Sequence, residues 1–250
     1  MNITTDSIII ADIHSHIVPY VDDGAKNMET ALAMIKMEYD QGVRMLICTS
    51  HNGYSANYIQ NYLEKFSALK TQVAQIYPDL KLLFGNEIYC TKENIDDILD
   101  SLAKEVILPL ENTKHVLVEF PCCISFDDTK VILNKLLSHG WKPIVAHCER
   151  YENICSRKIV KKLILNNIMI QINLYSLEEE SSECIKERAR MLFKNKFIHF
   201  VGSDCHGIHW RSPSLDKGVA YIKDHTDSSY QKDILFKNAA FLFEQGHMST

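Results

Sequence analysis

The chain alternates between short, almost continuously apolar runs and longer segments in which apolar residues recur at a helical spacing. Seven runs have the length and the β-branched or aromatic composition of strands that are covered on both faces. They are residues 7–13, 44–50, 81–89, 115–121, 142–148, 168–175 and 196–204. Strands that alternate with helices are typical of βα repeats, so the pattern predicts a parallel sheet.

Two of the intervening segments have clear helix signals. Residues 28–39 place their apolar side chains on one stripe, with Asn27 as the expected N-cap and Gly42 just past the end. Residues 127–139 repeat this plan and stop at Gly140. Each segment therefore predicts one amphipathic helix that packs on the sheet.

Length and composition favour one domain. A chain of 250 residues can bury a large core, and no Pro-, Gly- or Ser-rich linker divides it. We expect a single α/β domain over residues 1–250, closed by helices from about Ser214 onward. The net charge of −5 lacks the basic footprint of nucleic-acid binders, so no nucleic-acid partner is expected.

The cysteines and the hydropathy pattern point to a reduced, cytoplasmic setting. The eight cysteines form no C-x-x-C pair, which argues against a disulfide framework or a zinc-thiolate site. The first ten residues lack the features of a signal peptide, and no apolar run approaches the ~20 residues of a membrane span. We therefore expect no direct membrane insertion.

The stretch DIHSHIVPYVDDGA, residues 12–25, is the first candidate for chemistry. It follows an apolar run, and side chains alternate between the faces of a strand. Asp12, His14 and His16 are therefore expected on one face. Two imidazoles on one face can share a metal ion, although an isolated His-x-His is more often a surface or core feature.

Ligand-type residues recur at the ends of six of the seven runs. They are His14, His16, His51, Glu87, Glu119, His147, Glu149, Asp204 and His206. Each one alone could be a satisfied core histidine or a capping acid. Together they predict a metal centre, because parallel β/α barrels place their active sites at the carboxyl ends of the strands. Their number exceeds what one ion needs, which indicates two or three ions.

Such a centre suits phosphoester hydrolysis. Closely spaced metal ions activate water and clamp the attacking and leaving oxygens at phosphorus. Arg150 and Arg211 are candidate phosphate ligands, because guanidinium groups bind phosphate oxygens in a bidentate way. A surface salt bridge is the competing interpretation for each arginine. No Cys-x₅-Arg loop is present, so a cysteinyl-phosphate mechanism is disfavoured.

The ordered motifs DIHSHIVPYVDDGA, TSH, GNEIY, VEFP, AHCERY and GSDCHG…R resemble the polymerase and histidinol phosphatase (PHP) superfamily. They are most similar to its manganese-dependent bacterial protein-tyrosine phosphatases, which are encoded with capsule and exopolysaccharide genes. The resemblance runs from about Ile8 to Arg211. It implies a distorted (β/α)₇ TIM-like barrel with a trinuclear centre. This chain departs from the resemblance at one point, because Tyr20 stands where the turn after the histidine and proline often contains glycine.

The resemblance also implies a set of ligands for each ion. The first ion would be held by His14, His16, Glu87 and Asp204. The second would be held by Glu87, Glu119 and His147. The third would be held by Asp22, His51 and His206, with Asp23 as a supporting partner. Arg150 and Arg211 would bind the phosphate of phosphotyrosine on a membrane-associated bacterial tyrosine autokinase.

Three alternatives stay open. A related phosphoesterase, such as a histidinol-phosphate phosphatase, would share the metals and differ in the pocket wall. A non-catalytic metal-binding interaction module would be expected to have lost ligands. An amidohydrolase acting on C–N bonds shares the barrel and the histidine pair, but no lysine lies at the relevant strand ends to be carbamylated. Manganese is the expected metal, and the ligand set also tolerates iron or zinc.

Overall fold

The computed structural model describes residues 8–246 and contains eight strands in that range. The strands are β1 (Ile10–Ser15), β2 (Val43–Cys48), β3 (Lys81–Phe84), β4 (Glu87–Tyr89), β5 (His115–Glu119), β6 (Lys142–Val145), β7 (Met169–Asn173) and β8 (Phe200–Gly202). Every paired neighbour is parallel. The prediction of a parallel α/β fold is therefore confirmed.

Helices connect and close the strands. They are α1 (Met28–Asp40), α2 (Ala56–Ile76), α3 (Ile95–Ala103), α4 (Phe126–Ser138), α5 (Arg157–Leu165), α6 (Glu183–Lys194), α7 (Asp216–His225), α8 (Ser228–Lys232) and α9 (Asn238–Gly246). Asn27 caps α1 by accepting a hydrogen bond from the Thr30 N–H, as the sequence predicts. Gly42 and Gly140 follow α1 and α4 with positive φ, so both predicted helix ends are confirmed.

The third predicted run is not one strand. It splits into β3 and β4, which belong to different sheets. Gly85 lies where an added Cβ would be 2.7 Å from the Leu110 side chain, so the chain passes close to its neighbour there. Asn86 then bonds the main chain of Ser50 and of Leu108 through its side chain. These contacts replace sheet pairing, which is why seven apolar runs give eight strands.

The strands form a three-stranded sheet, β1-β2-β3, and a five-stranded sheet in sequential order from β4 to β8. Isolated parallel bridges link the two sheets at both sides, between Ser15 and Cys205 and between His51 and Glu87. Ser15, Cys205 and His51 lie at or just past the carboxyl ends of β1, β8 and β2, whereas Glu87 follows β3 and begins β4. Residues at this end of both sheets are therefore held close together.

One hydrophobic cluster lies between the two sheets and a second lies between the strands and the surrounding helices. The first contains side chains from six strands and from α9, namely Ala11, Ile13, Met45, Ile47, Leu83, Leu117, Ile144, Phe200, Ala239, Leu242 and Phe243, with Leu110 and Ala146 beside them. Helix α9 lies at the amino ends of the strands, opposite the bridges, where Asn238 donates to the His199 carbonyl just before β8. Burial of these side chains stabilises the scaffold of the site.

All eight cysteines are free, as expected for reduced thiols, and only Cys122, Cys123 and Cys184 are exposed. Within residues 8–246, no helix has the length and apolar character needed to cross a bilayer. The predicted domain covers residues 1–250, of which residues 1–7 and 247–250 lie outside the described range.

Candidate metal centre

Glu87 is the centre of a cluster of imidazoles and carboxylates at the carboxyl ends of the strands. Its carboxylate is 1% exposed and lies 3.2 Å from Nε2 of both His14 and His16. The same carboxylate lies 3.3 Å from Nδ1 of His51 and 2.8 Å from Nε2 of His147. One buried carboxylate therefore contacts four imidazoles that come from three parts of the chain.

The first ligand group consists of His14, His16, Glu87 and Asp204, and all four residues are buried. Oδ1 of Asp204 lies 3.6 Å from Nε2 of His14 and 3.5 Å from Nε2 of His16. The two Nε2 atoms are 3.3 Å apart. These are the four residues that the PHP resemblance implies for one ion.

Hydrogen bonds fix which nitrogen of each ring is free. Nδ1 of His16 lies 2.8 Å from Oδ2 of Asp22, and a carboxylate only accepts, so this nitrogen carries the proton. Oε1 of Gln171 accepts a hydrogen bond from the His147 main-chain N–H, so Nδ1 of His14 donates to the same oxygen. In the neutral rings both Nε2 lone pairs then face each other and the carboxylates. Partners of this kind orient metal-binding histidines.

The second group lies on the other side of Glu87. Nε2 of His147 is 3.5 Å from Oε1 of Glu119, in addition to its contact with Glu87. Burial lowers the pKa of His147 to about 4, so its imidazole is neutral at physiological pH. Burial and the charge of Glu87 raise the pKa of Glu119 to about 7. A cation between these groups would relieve the repulsion of the two carboxylates.

The third group differs from the expectation in one residue. Oδ1 of Asp23 lies 3.6 Å from Nε2 of His51 and 3.4 Å from Nε2 of His206. Asp22, which was expected to hold this ion, instead accepts hydrogen bonds from the ring of His16 and from the main-chain N–H of His51. Its carboxylate is 5% exposed, whereas that of Asp23 is 58% exposed. Asp23, rather than Asp22, therefore lies with His51 and His206 in this group.

Asp12 also departs from the expectation that it shares a face with the two histidines. A register shift between Asp12 and Ser15 breaks the alternation of β1. The Asp12 carboxyl accepts from the main-chain N–H groups of His14 and Ser203 and lies next to Glu38 of α1. Asp12 therefore supports the strand end and does not contact the histidine rings.

Both predicted arginines reach the cluster. Arg150 donates to Oδ2 of Asp204 at 2.7 Å and lies 3.3 Å from the Tyr175 hydroxyl. Arg211 contacts Oδ1 of Asp204 and places its guanidinium 3.1 Å from Nε2 of His206. The two guanidinium groups thus approach the same carboxylate, where they can neutralise an anion bound at the cluster.

Several site residues have unusual backbone conformations. His147, Asp204 and Arg211 have φ values of 31°, 53° and 47°, in the left-handed region that side chains other than glycine rarely adopt. Backbone strain of this kind is typical of functional sites. Glu149, in contrast, follows His147 in a short 3₁₀ turn and bonds the Asn173 N–H and the Ser176 hydroxyl, away from the cluster.

The sequence interpretation missed a buried amide pair on β7. Gln171 donates to Oδ1 of Asn173, and Asn173 donates to Oδ2 of Asp204. Together with the contacts of Gln171 to His14 and His147, this network links three candidate ligands. The signal was present in the sequence, because these two polar residues alternate with isoleucine inside an otherwise apolar run.

The residues fit a metal centre. Imidazole nitrogens and carboxylate oxygens come within 4.8 Å of one another in three overlapping sets, which are His14, His16, Glu87 and Asp204, then His16, Asp23, His51 and His206, and finally His51, Glu87 and Glu119. Two ligands ~2.1 Å from a shared ion lie roughly 3.0–3.4 Å apart at tetrahedral or octahedral angles. The Nε2 atoms of His14 and His16 lie at a similar distance, 3.2–3.6 Å, from the carboxylates of Glu87 and Asp204. Mixed imidazole and carboxylate ligands suit a borderline divalent ion.

Parallel sheets with a histidine and carboxylate cluster at their carboxyl ends are typical of metal-dependent hydrolases. Residues 10–244 match the family model described as capsular polysaccharide synthesis, CpsB/CapC. The chain therefore belongs to the CpsB/CapC family.

Two named relatives match nearly the whole chain. The tyrosine-protein phosphatase CpsB of Streptococcus agalactiae serotype III is 33% identical over 245 residues, which are 95% of this chain and 99% of the relative. The tyrosine-protein phosphatase YwqE of Bacillus subtilis is 30% identical over 238 residues, or 92% of this chain and 90% of the relative.

Solved structures agree. A structure from the study of YwqE of Bacillus subtilis and CpsB of Streptococcus pneumoniae, described there as unique metal-dependent tyrosine phosphatases, has a TM-score of 0.78 at 25% identity, covering 96% of this chain and 93% of its own. The phosphotriesterase homology protein of Escherichia coli has a TM-score of 0.59 at 13% identity, covering 95% of this chain and 99% of its own, which shows similarity of fold alone.

Proposed function

We propose that this protein is a metal-dependent protein-tyrosine phosphatase that hydrolyses phosphotyrosine on a bacterial tyrosine kinase of capsular or exopolysaccharide synthesis. The observation that carries the proposal is the meeting of imidazole lone pairs and carboxylates around Glu87, with two guanidinium groups on Asp204. Its relatives are named tyrosine-protein phosphatases, and its family is described by capsular polysaccharide synthesis.

We assign the three ligand groups to two or three divalent ions, with manganese as the expected metal. His14, His16, Glu87 and Asp204 would hold one ion. Glu87, Glu119 and His147 would hold a second. Asp23, His51 and His206 would hold a third, and Asp22 would orient His16. Bound ions of this kind supply a more acidic water and positive charge for the phosphate oxygens.

The protein's own residues would then bind and orient the phosphate. Arg150 and Arg211 already lie within contact of Asp204, so a phosphate at the cluster would meet both guanidinium groups. The tyrosine product leaves as a phenolate whose ordinary pKa is about 10, which makes it a better leaving group than an alkoxide. The reaction therefore needs little help from a general acid.

The architecture fits this assignment. We infer that the two sheets, bridged at both sides, form a distorted (β/α)₇ TIM-like barrel of the PHP type within one domain over residues 1–250. We further propose a cytoplasmic location, where a tyrosine kinase would be accessible. Histidinol phosphate is a less favoured substrate, because the two relatives given above are named tyrosine-protein phosphatases.

The test is hydrolysis of a phosphotyrosine peptide by the purified protein after chelation and after re-addition of Mn²⁺, Fe²⁺ or Zn²⁺. His14→Ala and Arg211→Ala are measured beside two matched controls, His139→Ala and Arg157→Ala, which remove exposed residues of the same types. We expect Mn²⁺ to restore phosphate release in the wild-type protein and in both controls. The two site variants should lose at least ~100-fold in kcat/KM.

Histidinol phosphate is added as a competing substrate in the same assay. The competition distinguishes a protein-tyrosine phosphatase from a histidinol-phosphate phosphatase. Preferential hydrolysis of histidinol phosphate would replace the proposed substrate. Metal binding without release of phosphate from any aryl phosphate would favour a non-catalytic metal-binding module.

A further inference from the structure

The most exposed tyrosine and tryptophan side chains of the described chain each lie within four residues of a candidate metal ligand. We call them the aromatic rim; they are Tyr20, Tyr54, Tyr89 and Trp210, with exposed fractions of 62%, 57%, 41% and 66%. Every other tyrosine and tryptophan between residues 8 and 246 is buried or half-buried. Exposed aromatic side chains are costly in water, so their concentration at one site indicates a binding surface.

Each rim residue follows a candidate ligand or precedes one by only a few positions. Tyr20 precedes Asp23 in the loop after β1, and Tyr54 lies three residues after His51. Tyr89 lies two residues after Glu87 on β4, and it pairs with Glu119 of β5. The rim therefore spans both the second and the third ligand groups.

Trp210 has the most direct geometry. Its ring centroid lies 6.0 Å from that of His206 in an edge-to-face arrangement, and the Arg211 guanidinium lies 5.5 Å from the ring. The ring is thus next to a candidate metal ligand and to a candidate phosphate ligand, while two thirds of it remains exposed. A phosphate bound by Arg211 would bring its ester group within reach of this indole.

Tyr20 combines exposure with backbone strain. Its φ is 63°, which is rare for a bulky residue and would be free of strain for glycine or asparagine. The Tyr20 main-chain N–H bonds the Ala25 carbonyl, and its carbonyl accepts from Lys65, so the loop holds this conformation. A strained, exposed aromatic residue is not explained by stability, which points to a role in binding.

We propose that the aromatic rim is the specificity surface of this site, with Trp210 packing against the phosphotyrosine ring and the three tyrosines contacting the residues that flank it. The inference rests on the proposed phosphatase function and adds its substrate-recognition residues. The occupant is a tyrosine-phosphorylated peptide segment of a protein. A small alkyl phosphate has neither an aromatic ring nor flanking residues, so it would make no such contacts with the aromatic rim.

The test separates ring recognition from phosphate recognition. KM and kcat are measured on a phosphotyrosine peptide, and the inhibition constant of inorganic phosphate is measured in the same assay. We expect Trp210→Ala to raise the peptide KM about 3- to 10-fold, because aromatic stacking has an energy of that order. The phosphate inhibition constant should stay unchanged, since phosphate has no ring. Trp210→Phe should recover much of the loss.

Phe241→Ala is the matched control, because Phe241 is 62% exposed and lies on α9 at the opposite end of the sheets. It should leave both constants unchanged. For the tyrosines, Tyr54→Ala should raise the KM of the peptide but not that of free phosphotyrosine.

An equal change in peptide KM and phosphate inhibition would mean that Trp210 acts only by positioning His206 or Arg211, and it would overturn the inference. An unchanged peptide KM in Trp210→Ala would overturn it as well. Failure of the wild-type protein to hydrolyse any phosphotyrosine substrate is a different result, because it removes the proposed function on which the inference rests.

Discussion

Replacing Gln171 by methionine tests whether the amide network on β7 supports the metal centre. Methionine keeps the length and volume of glutamine but removes its polar atoms. Oε1 of Gln171 accepts from the His147 N–H at 2.6 Å and from Nδ1 of His14 at 3.3 Å, and Nε2 donates to Asn173 at 3.0 Å. The variant leaves three buried polar groups without partners.

The magnitude follows from these contacts. An unsatisfied buried polar group costs about 1–3 kcal/mol, so three such groups should lower the free energy of unfolding by about 3 kcal/mol or more. For a domain of this size that is a fall in Tm of roughly 6–12 °C. Loss of the partner that orients His14 should also weaken metal binding by about 10- to 100-fold.

Two comparison variants identify the cause. Gln171→Glu keeps an acceptor for His14 and His147 and should retain more metal affinity than Gln171→Met. Thr129 lies on α4, far from the cluster, and its buried hydroxyl donates to the carbonyl of Ser125, the N-cap of that helix. Thr129→Val removes this hydroxyl. It should lower Tm without changing metal affinity.

Mn²⁺ binding is followed by electron paramagnetic resonance of the free ion, and Tm is measured on chelated and loaded protein. Wild-type Mn²⁺ affinity in Gln171→Met, with a loss of Tm no larger than that of Thr129→Val, would refute the supporting role of the network.

Three further predictions concern the loop, its strain and the thiols. Asp23→Ala should reduce the number of bound Mn²⁺ ions by one with little change in Tm. Asp22→Ala should also reduce Mn²⁺ binding, and it should lower Tm because it removes the partner of a buried imidazole. Inductively coupled plasma analysis counts the bound ions, and thermal melts give Tm. Tyr20→Asn should keep or raise Tm, since asparagine tolerates positive φ, yet raise the peptide KM; a lower Tm contradicts the strain argument. Stoichiometric alkylation of the exposed Cys122 and Cys123, verified by mass spectrometry, should leave activity largely intact, and complete inactivation would restore a thiol mechanism.

The positions of most candidate ligands could be predicted from the sequence. The carboxyl ends of parallel strands converge, so ligand-type residues at the ends of six runs were expected to meet. The structure brings His14, His16, Glu87 and Asp204 together as one group. This prediction needed only the order of the strands and their common direction, and the apolar pattern predicts both.

The finer assignments depend on backbone geometry that residue types do not reveal. Alternation predicts side-chain direction only inside a regular strand, and it fails for Asp12 because of the register shift in β1. It also fails after His147, where the chain enters a 3₁₀ turn and carries Glu149 away from the cluster. Likewise, adjacent residues Asp22 and Asp23 have the same chemistry, and only the path of the loop decides which one contacts His16 and which one contacts His51 and His206.

The concentration of carboxylates at the site predicts how the chelated protein responds to pH. Burial and Glu87 raise the pKa of Glu119 from its ordinary value of 4.5 to about 7. The folded state therefore binds more protons than the unfolded state between these values, and the stability of the chelated protein falls as pH rises through this window.

His16 acts in the same direction at higher pH. Burial disfavours its charged form, but hydrogen bonds to Asp22 and Glu87 raise its pKa to about 10, so its contribution is full below pH 6.5 and is lost as pH rises through 10. Bound cations would replace both protons and remove this dependence. Burial lowers the pKa of His147 to about 4, so this residue acts in the opposite direction up to pH 6.5. We therefore expect the Tm of the chelated protein to fall between pH 6.5 and pH 9 more steeply than that of the Mn²⁺-loaded protein, and Glu119→Gln to reduce the fall below pH 7. Parallel pH profiles for the two forms would show that the carboxylates do not share the predicted cation.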